Sequence, residues 1–208
     1  MIPKVNWQKI ETQADSLEGR EYFDAFASLR DAYKHRFRKY EARLEYHDAG
    51  NPSFEAYLRG DMDTAIALLR EGLTPSAKSY EKIREEGVTF TRVRPYVWPL
   101  NSYLAWEFLS YQISIELGEN IFLFDANKHP ETLFPNQRDF VLFDDFAAII
   151  INYNSSGALL GGHVVESQDD IESLAALFDT LETFATPFDE VVEMGEDVFQ
   201  LRHVPAED

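Results

Sequence analysis

Two adjacent carboxylates, Asp144 and Asp145, close the apolar run Phe140 to Phe143. Strand ends of this kind are where α/β sheets often set functional groups, and a pair of acids there can bind a divalent cation. Neighbouring side chains on extended backbone point to opposite faces, however, and Asp is an ordinary turn residue. The doublet therefore reads first as a turn and second as the metal site of a hydrolase. The five histidines, His35, His47, His129, His163 and His203, show no HExxH or comparable spacing, and cysteine is absent. No zinc site or thiolate nucleophile is expected. A Gly-rich phosphate loop and a GxSxG elbow are also missing. Gly161-Gly162 falls inside a strand pattern, where paired glycines mark a bulge or the close approach of another backbone. No catalytic residue, metal ligand or cofactor is assigned on these grounds. A second group is aromatic: Tyr96, Trp98, Tyr103 and Trp106, with Tyr111, around Pro95 and Pro99. Tyr and Trp join an apolar body to a polar handle, so this group suits a ligand pocket or a protein interface as well as a core edge. Those four aromatics with Asp144 and Asp145 are the candidate ligand or partner surface.

The elements that position these residues follow from periodicity. Phe140 to Phe143, Ala147 to Tyr153 and Ala158 to Val165 read as strands, the last two separated by the turn residues Asn154-Ser155-Ser156-Gly157, giving a three-stranded meander. A helix follows, capped by Ser167 and complemented by Asp169 and Asp170, with Ile171, Leu174, Leu177, Phe178, Leu181 and Phe184 on one stripe until Pro187. Upstream, Val88 to Arg94 alternates as a strand, with Val88, Phe90, Arg92 and Arg94 on one side and Pro95 opposing continuation. Pro99 to Leu117 is a helix apolar on much of its circumference, and Asn120 to Phe124 is a strand. From Glu21, the positions Tyr22, Phe23, Phe26, Leu29, Tyr33 and Phe37 fall at helical intervals, predicting one long helix that bends near Tyr40 or gives way to a strand at Ala42 to Tyr46. Short helices then start at Phe54, Thr64 and Thr74-Pro75-Ser76, each closed by a glycine.

This order predicts an α/β (α+β) fold, a mixed sheet with helices packed on it and an N-terminal helical layer. Residues 1–20 are expected as a weakly docked arm and 21–187 as a single α/β domain, helical over 21–87 and sheet-bearing over 88–187. Residues 188–208 are expected as an acidic tail, either solvated or supplying a last strand or helix that caps the sheet.

Nineteen basic and 37 acidic side chains in 208 residues give a net charge of −18. The excess is concentrated from Ser167 onward, where twelve acids face one base, Arg202, whereas the first 48 residues hold nine of each. Such a surface repels nucleic acid phosphate and attracts basic partners at low salt. Direct nucleic acid binding is not expected, and a basic protein partner, as for an antitoxin-like protein or a DNA mimic, is one reading. The basic cluster Lys34, Arg36, Arg38, Lys39 and Arg43 reads as solvated surface or as a partner for the acidic half. No run of 18 apolar residues and no export signal is visible, which points to the cytoplasm. A homo-oligomer is compatible with the composition.

Arg43 to Glu45 (RLE), Phe54 to Gly60 (FEAYLRG), Thr91 to Phe108 (TRVRPYVWPLNSYLAWEF), Gly118 to Asp125 (GENIFLFD) and Asp139 to Asp145 (DFVLFDD) occur in this order. In that order the chain resembles an uncharacterised actinobacterial family, a domain of unknown function often encoded beside helix-turn-helix regulators. The resemblance implies a non-enzymatic interaction or ligand-sensing protein that partners a transcription regulator. The stretch after Gln137 is also distantly similar to one half of a phospholipase D-like domain, with Gln137 at its His position, Asp139 at its Lys position and Asp144 at its Asp position. An amide and an anion in place of the nucleophile and the phosphate-binding cation imply a scaffold without that catalysis.

Overall fold

The computed structural model describes residues 2–46, 50–73 and 77–194. Eight helices, α1 (Trp7–Gln13), α2 (Gly19–Ala32), α3 (Pro52–Leu58), α4 (Met62–Gly72), α5 (Ala77–Glu86), α6 (Ser102–Glu116), α7 (Gln168–Glu182) and α8 (Phe188–Met194), are seen among these residues. They surround eight strands: β1 (Asp15–Glu18), β2 (Arg36–Tyr40), β3 (Thr89–Tyr96), β4 (Asn120–Asp125), β5 (Phe140–Phe143), β6 (Ala147–Tyr153), β7 (Leu159–Val165) and β8 (Thr186–Pro187). The strands form one mixed sheet in the order β1-β7-β6-β5-β2-β3-β4-β8. The expected α/β class is the one observed.

The antiparallel meander β5-β6-β7 is as its strand and turn residues indicate. Its last strand owes its shape to the glycine pair. A Cβ at Gly161 would stand 2.0 Å from the Leu17 carbonyl oxygen of β1, and one at Gly162 would meet the Ile150 oxygen at 2.6 Å and the Tyr22 ring at 3.0 Å. A register shift lies beside them, at Asn152/Tyr153. Both consequences of paired glycines in a strand, a bulge and a close backbone, occur together.

β2 departs from expectation. The predicted long helix stops at Ala32, and Phe37 lies in a strand at the sheet centre, parallel to β3 and antiparallel to β5. Successive side chains from Arg36 to Tyr40 face opposite layers, and because both faces are covered only Arg36 is exposed. Ladder bonds on both sides outweigh the helical spacing of Tyr33 and Phe37. The layer over residues 21–87 is thus not wholly helical. The first twenty residues, expected as an arm, supply α1, whose Ile10 enters the core, and β1, which pairs with β7. Pro95 does not end β3. It lies beyond Val93, the level at which β2 stops, and pairs only with β4. The opener expected at Thr74-Pro75-Ser76 and the tail from residue 195 onward lie outside the described residues; within the tail region, residues 188–194 are helical and bury Phe188 and Val191.

Two layers bury the sheet. On one face, α7 sets Ile171, Leu174, Leu177, Phe178 and Leu181 against Tyr40, Phe140, Leu142 and Ile150. Each such side chain gains roughly 1.5–3 kcal/mol on full burial. On the other face, α2 and α5 cover Phe37, Phe90, Val141, Phe143 and Ile149, while α6 covers the β3-β4 side through Phe108 and Tyr111.

Candidate functional site

The expected site residues are not brought together. Asp144 is a turn residue at positive φ, 47°, and its carboxylate accepts the backbone N–H groups of Lys34 (2.7 Å), His35 (2.9 Å) and Arg36 (2.7 Å). Burial pushes its pKa up, but these three donors outweigh it and hold the group below the usual carboxylate range. Asp144 therefore staples the α2-β2 connection to the meander. Asp145 binds Arg36 at 2.6 Å and Arg38 at 3.4 Å, and Arg38 reaches Asp179 of α7 at 3.0 Å. Of the basic cluster, the side chains of Arg36 and Arg38 thus meet acids of the carboxyl-terminal half, whereas Lys39 pairs with Glu41 and Arg43 lies over Phe134 and Tyr153. Among the described residues, no group of three or more His, Asp or Glu could hold a metal.

The aromatic set divides into two. Tyr96 joins the α6-α8 core and meets Trp98, 36% exposed, edge-on at 5.7 Å. Tyr103 and Trp106 are buried under α3 and α4, where Phe54 lies 5.2 Å from the Trp106 ring and the Trp106 N–H donates to the Ser53 hydroxyl at 2.9 Å. These two are core.

The structure gathers a different set on the sheet face beneath α2, α5 and α6. Alternation places Phe37, Lys39 and Glu41 on that face of β2 and its extension, and Phe90, Arg92 and Arg94 on that face of β3. Glu41 is the hub. Its carboxylate meets Lys39 at 2.7 Å, Arg92 at 3.2 Å and Arg94 at 3.2 Å, and accepts the Tyr111 hydroxyl at 3.2 Å. Arg92 also pairs with Glu119 at 2.6 Å, and Arg94, which has no exposed surface, pairs with Glu107 at 2.8 Å. Three cations balance three anions. Burial pushes the Glu41 pKa up, yet Lys39, Arg92 and Arg94 pull it well below the carboxylate range, so Glu41 is held as the carboxylate. The Arg94 guanidinium is ringed by Tyr46, Tyr103 and Tyr111, at 5.2, 5.7 and 5.8 Å from the ring centres.

Beside this network Asp139 is 2% exposed at the start of β5. It accepts the Ala42 N–H at 2.8 Å, the Tyr153 hydroxyl at 2.9 Å and the Tyr46 hydroxyl. Burial raises its pKa, and the three hydrogen bonds offset that only in part. Gln137 is buried nearby, its amide donating weakly to the Glu131 carbonyl at 3.4 Å.

Between α2 and the sheet lies a cavity of about 310 Å³. Phe37, Phe90, Val141 and Ile151 form its floor; Tyr22, Phe26 and Arg30 of α2 form one wall; Ser79 and Tyr80 of α5 form the other. Lys39, Arg92 and Tyr153 stand where the floor runs into the charge network. None of the six expected site residues lines it. A signal was present in the sequence: Phe90, Arg92 and Arg94 share one strand face, and arginines on a face that is otherwise core need internal partners. Nothing local to β2 disclosed Lys39 and Glu41 as those neighbours, because that segment reads as helix.

A sequence family described as a domain of unknown function (DUF6879) matches residues 24–193. No curated protein matches the sequence. A solved structure of TrmBL2, an archaeal chromatin protein described as showing a novel mode of DNA binding, is similar with a TM-score of 0.42 and 8% identity, over 86% of this chain and 56% of that one. The chain therefore spans little more than half of that protein. Among the described residues, no helix is long and apolar enough to cross a membrane.

Proposed function

The chain belongs to the DUF6879 family of domains of unknown function, and from that premise we propose that it is a non-enzymatic ligand-sensing domain that reports to a protein partner. The observation carrying this reading is the cavity of about 310 Å³ beneath α2. Its volume falls at the small end of the range for small-molecule sites, and its apolar floor with a few polar groups at one end is the usual make-up of such sites. It lies directly on the charge network, so an occupant at Lys39 and Arg92 acts on Glu41 and through Arg94 and Glu107 on α6.

The hydrolase alternative has less support. A metal at Asp144 and Asp145 would have to displace three backbone N–H groups from one carboxylate and arginine from the other. The reading as an acidic antitoxin-like protein or DNA mimic rests on the net charge of −18 alone. We keep as part of the proposal a cytoplasmic setting, an actinobacterial origin, a helix-turn-helix transcription regulator as the partner, and a non-catalytic phospholipase D-like half as the scaffold. The strand-turn-strand-helix order of β5, β6, β7 and α7 agrees with that scaffold. At its two key positions stand Gln137 and an Asp139 whose oxygens are spent on Ala42, Tyr46 and Tyr153.

The test is native mass spectrometry and thermal shift of the purified chain against a metabolite library, alongside Ile151→Trp, which fills the cavity from its floor. Sensing predicts hits that raise Tm in the wild type and fail in Ile151→Trp when that variant shows a wild-type circular dichroism spectrum. Hits that survive the substitution, or hydrolysis of a library phosphoester lost in Asp144→Asn, would overturn it.

A further inference from the structure

We propose that the cavity takes an amphipathic organic monoanion, a free acid with one carboxylate-like head and an apolar body; this rests on the sensing reading above and names its ligand class. The first ground is the sign of the charge. In a chain of net charge −18, the charged side chains that line the cavity, among the described residues, are Arg30, Lys39 and Arg92, all basic. The carboxylates that balance Lys39 and Arg92 lie behind, Glu41 with 6% and Glu119 with 0% of the side chain exposed. An occupant therefore meets cations before it meets anions.

The second ground is donor capacity. Glu41 takes one of the three ammonium donors of Lys39, and Arg92 gives Nε to Glu119 and Nη1 to Glu41, while among the described residues no acceptor meets its Nη2 group. The surrounding network is already neutral, three cations to three anions. One added negative charge is what two unspent donor groups can hold; the two charges of a phosphate monoester exceed it.

The third ground is shape. Phe37, Phe90, Val141 and Ile151 offer an apolar bed next to that polar end. At the packing density of protein interiors, about 310 Å³ accommodates roughly a dozen non-hydrogen atoms. A medium-chain or aromatic carboxylic acid has this size and polarity.

The experiment uses three isosteric probes, decanoate, 1-decanol and decylammonium, below their aggregation limits. Isothermal titration and thermal shift are run on the wild-type chain, Lys39→Met and Ile151→Trp. Decanoate is expected to bind and raise Tm, decanol to bind more weakly, and decylammonium not to bind. Lys39→Met should weaken decanoate by about tenfold or more while leaving decanol unchanged, so retained decanol binding certifies the fold of the variant. Equal binding of decanol and decanoate, or an equal loss of both in Lys39→Met, would overturn the anion assignment and leave the cavity as a ligand site. Failure of all three probes, or decanoate binding that survives Ile151→Trp, would overturn both.

Discussion

Replacing Glu41 by Gln removes one charge from a buried set that is balanced only with it. Arg92 and Arg94 cannot shed their protons, so the substitution leaves three cations against Glu107 and Glu119 in a space where Arg94 has no exposed surface. Removing one partner of a buried ion pair costs about 3–5 kcal/mol. The amide oxygen still accepts from some of the four donors, and Lys39 is 25% exposed and can turn to water, so the lower part of that range, about 3–4 kcal/mol, is expected. With a urea m-value of about 2 kcal/mol/M, the unfolding midpoint falls by roughly 1.5–2 M. Tryptophan fluorescence and far-UV circular dichroism follow the transition in parallel. Lys39→Met in the Glu41→Gln background restores two cations against two anions and should recover about 1–2 kcal/mol, a coupling seen only in the double-mutant cycle. The difference also carries a pH signature. Because the folded pKa of Glu41 is depressed, its contribution is present above the ordinary value near 4.5 and is lost as pH falls below it towards the folded value. The gap between wild type and Glu41→Gln should therefore close on acidification in that window. A loss under about 1 kcal/mol, or a double mutant no better than the sum of the singles, would refute a network held together by charge balance.

Other expectations follow from single contacts. Asp144→Ala removes the acceptor of three backbone N–H groups; a loss of about 1–3 kcal/mol is expected in urea unfolding, with no change in the binding of divalent cations measured by titration calorimetry. Asp139 has the opposite linkage to Glu41: its pKa is raised on folding, so its contribution is fully present below the unfolded value and is lost as pH rises through the folded one. Asp139→Asn should accordingly flatten the stability profile between those two values, and an unchanged profile there would count against a raised Asp139. Gly161→Ala puts a Cβ 2.0 Å from the Leu17 oxygen, so β1 must detach or shift, and hydrogen exchange should quicken at residues 15–18 while the amides of β5 stay protected.

Much of the architecture is local and was therefore legible. The meander, α6 and α7 each have a periodicity that fits one secondary structure, turn residues where the chain reverses, and a burial demand met by immediate neighbours in sequence. The glycine pair was readable for a similar reason, since a missing side chain has meaning wherever it falls in a strand. Asp144 as a turn residue was equally legible, though not the three amides it binds, which come from residues more than a hundred positions away.

What the sequence by itself determined, then, is the class of fold, the strands and helices whose pattern admits one reading, and the absence of the usual phosphate-loop, thiol and zinc motifs. Tertiary structure alone decided the status of Arg36 to Tyr40, whose residues suit a helix or a strand and become a strand because β3 and β5 offer ladder partners on both sides. That decision turns Lys39 and Glu41 to the face already holding Arg92 and Arg94, and so creates both the balanced network and the polar end of the cavity. Charge pairing across strands distant in sequence depends on register, and register is a property of the assembled sheet.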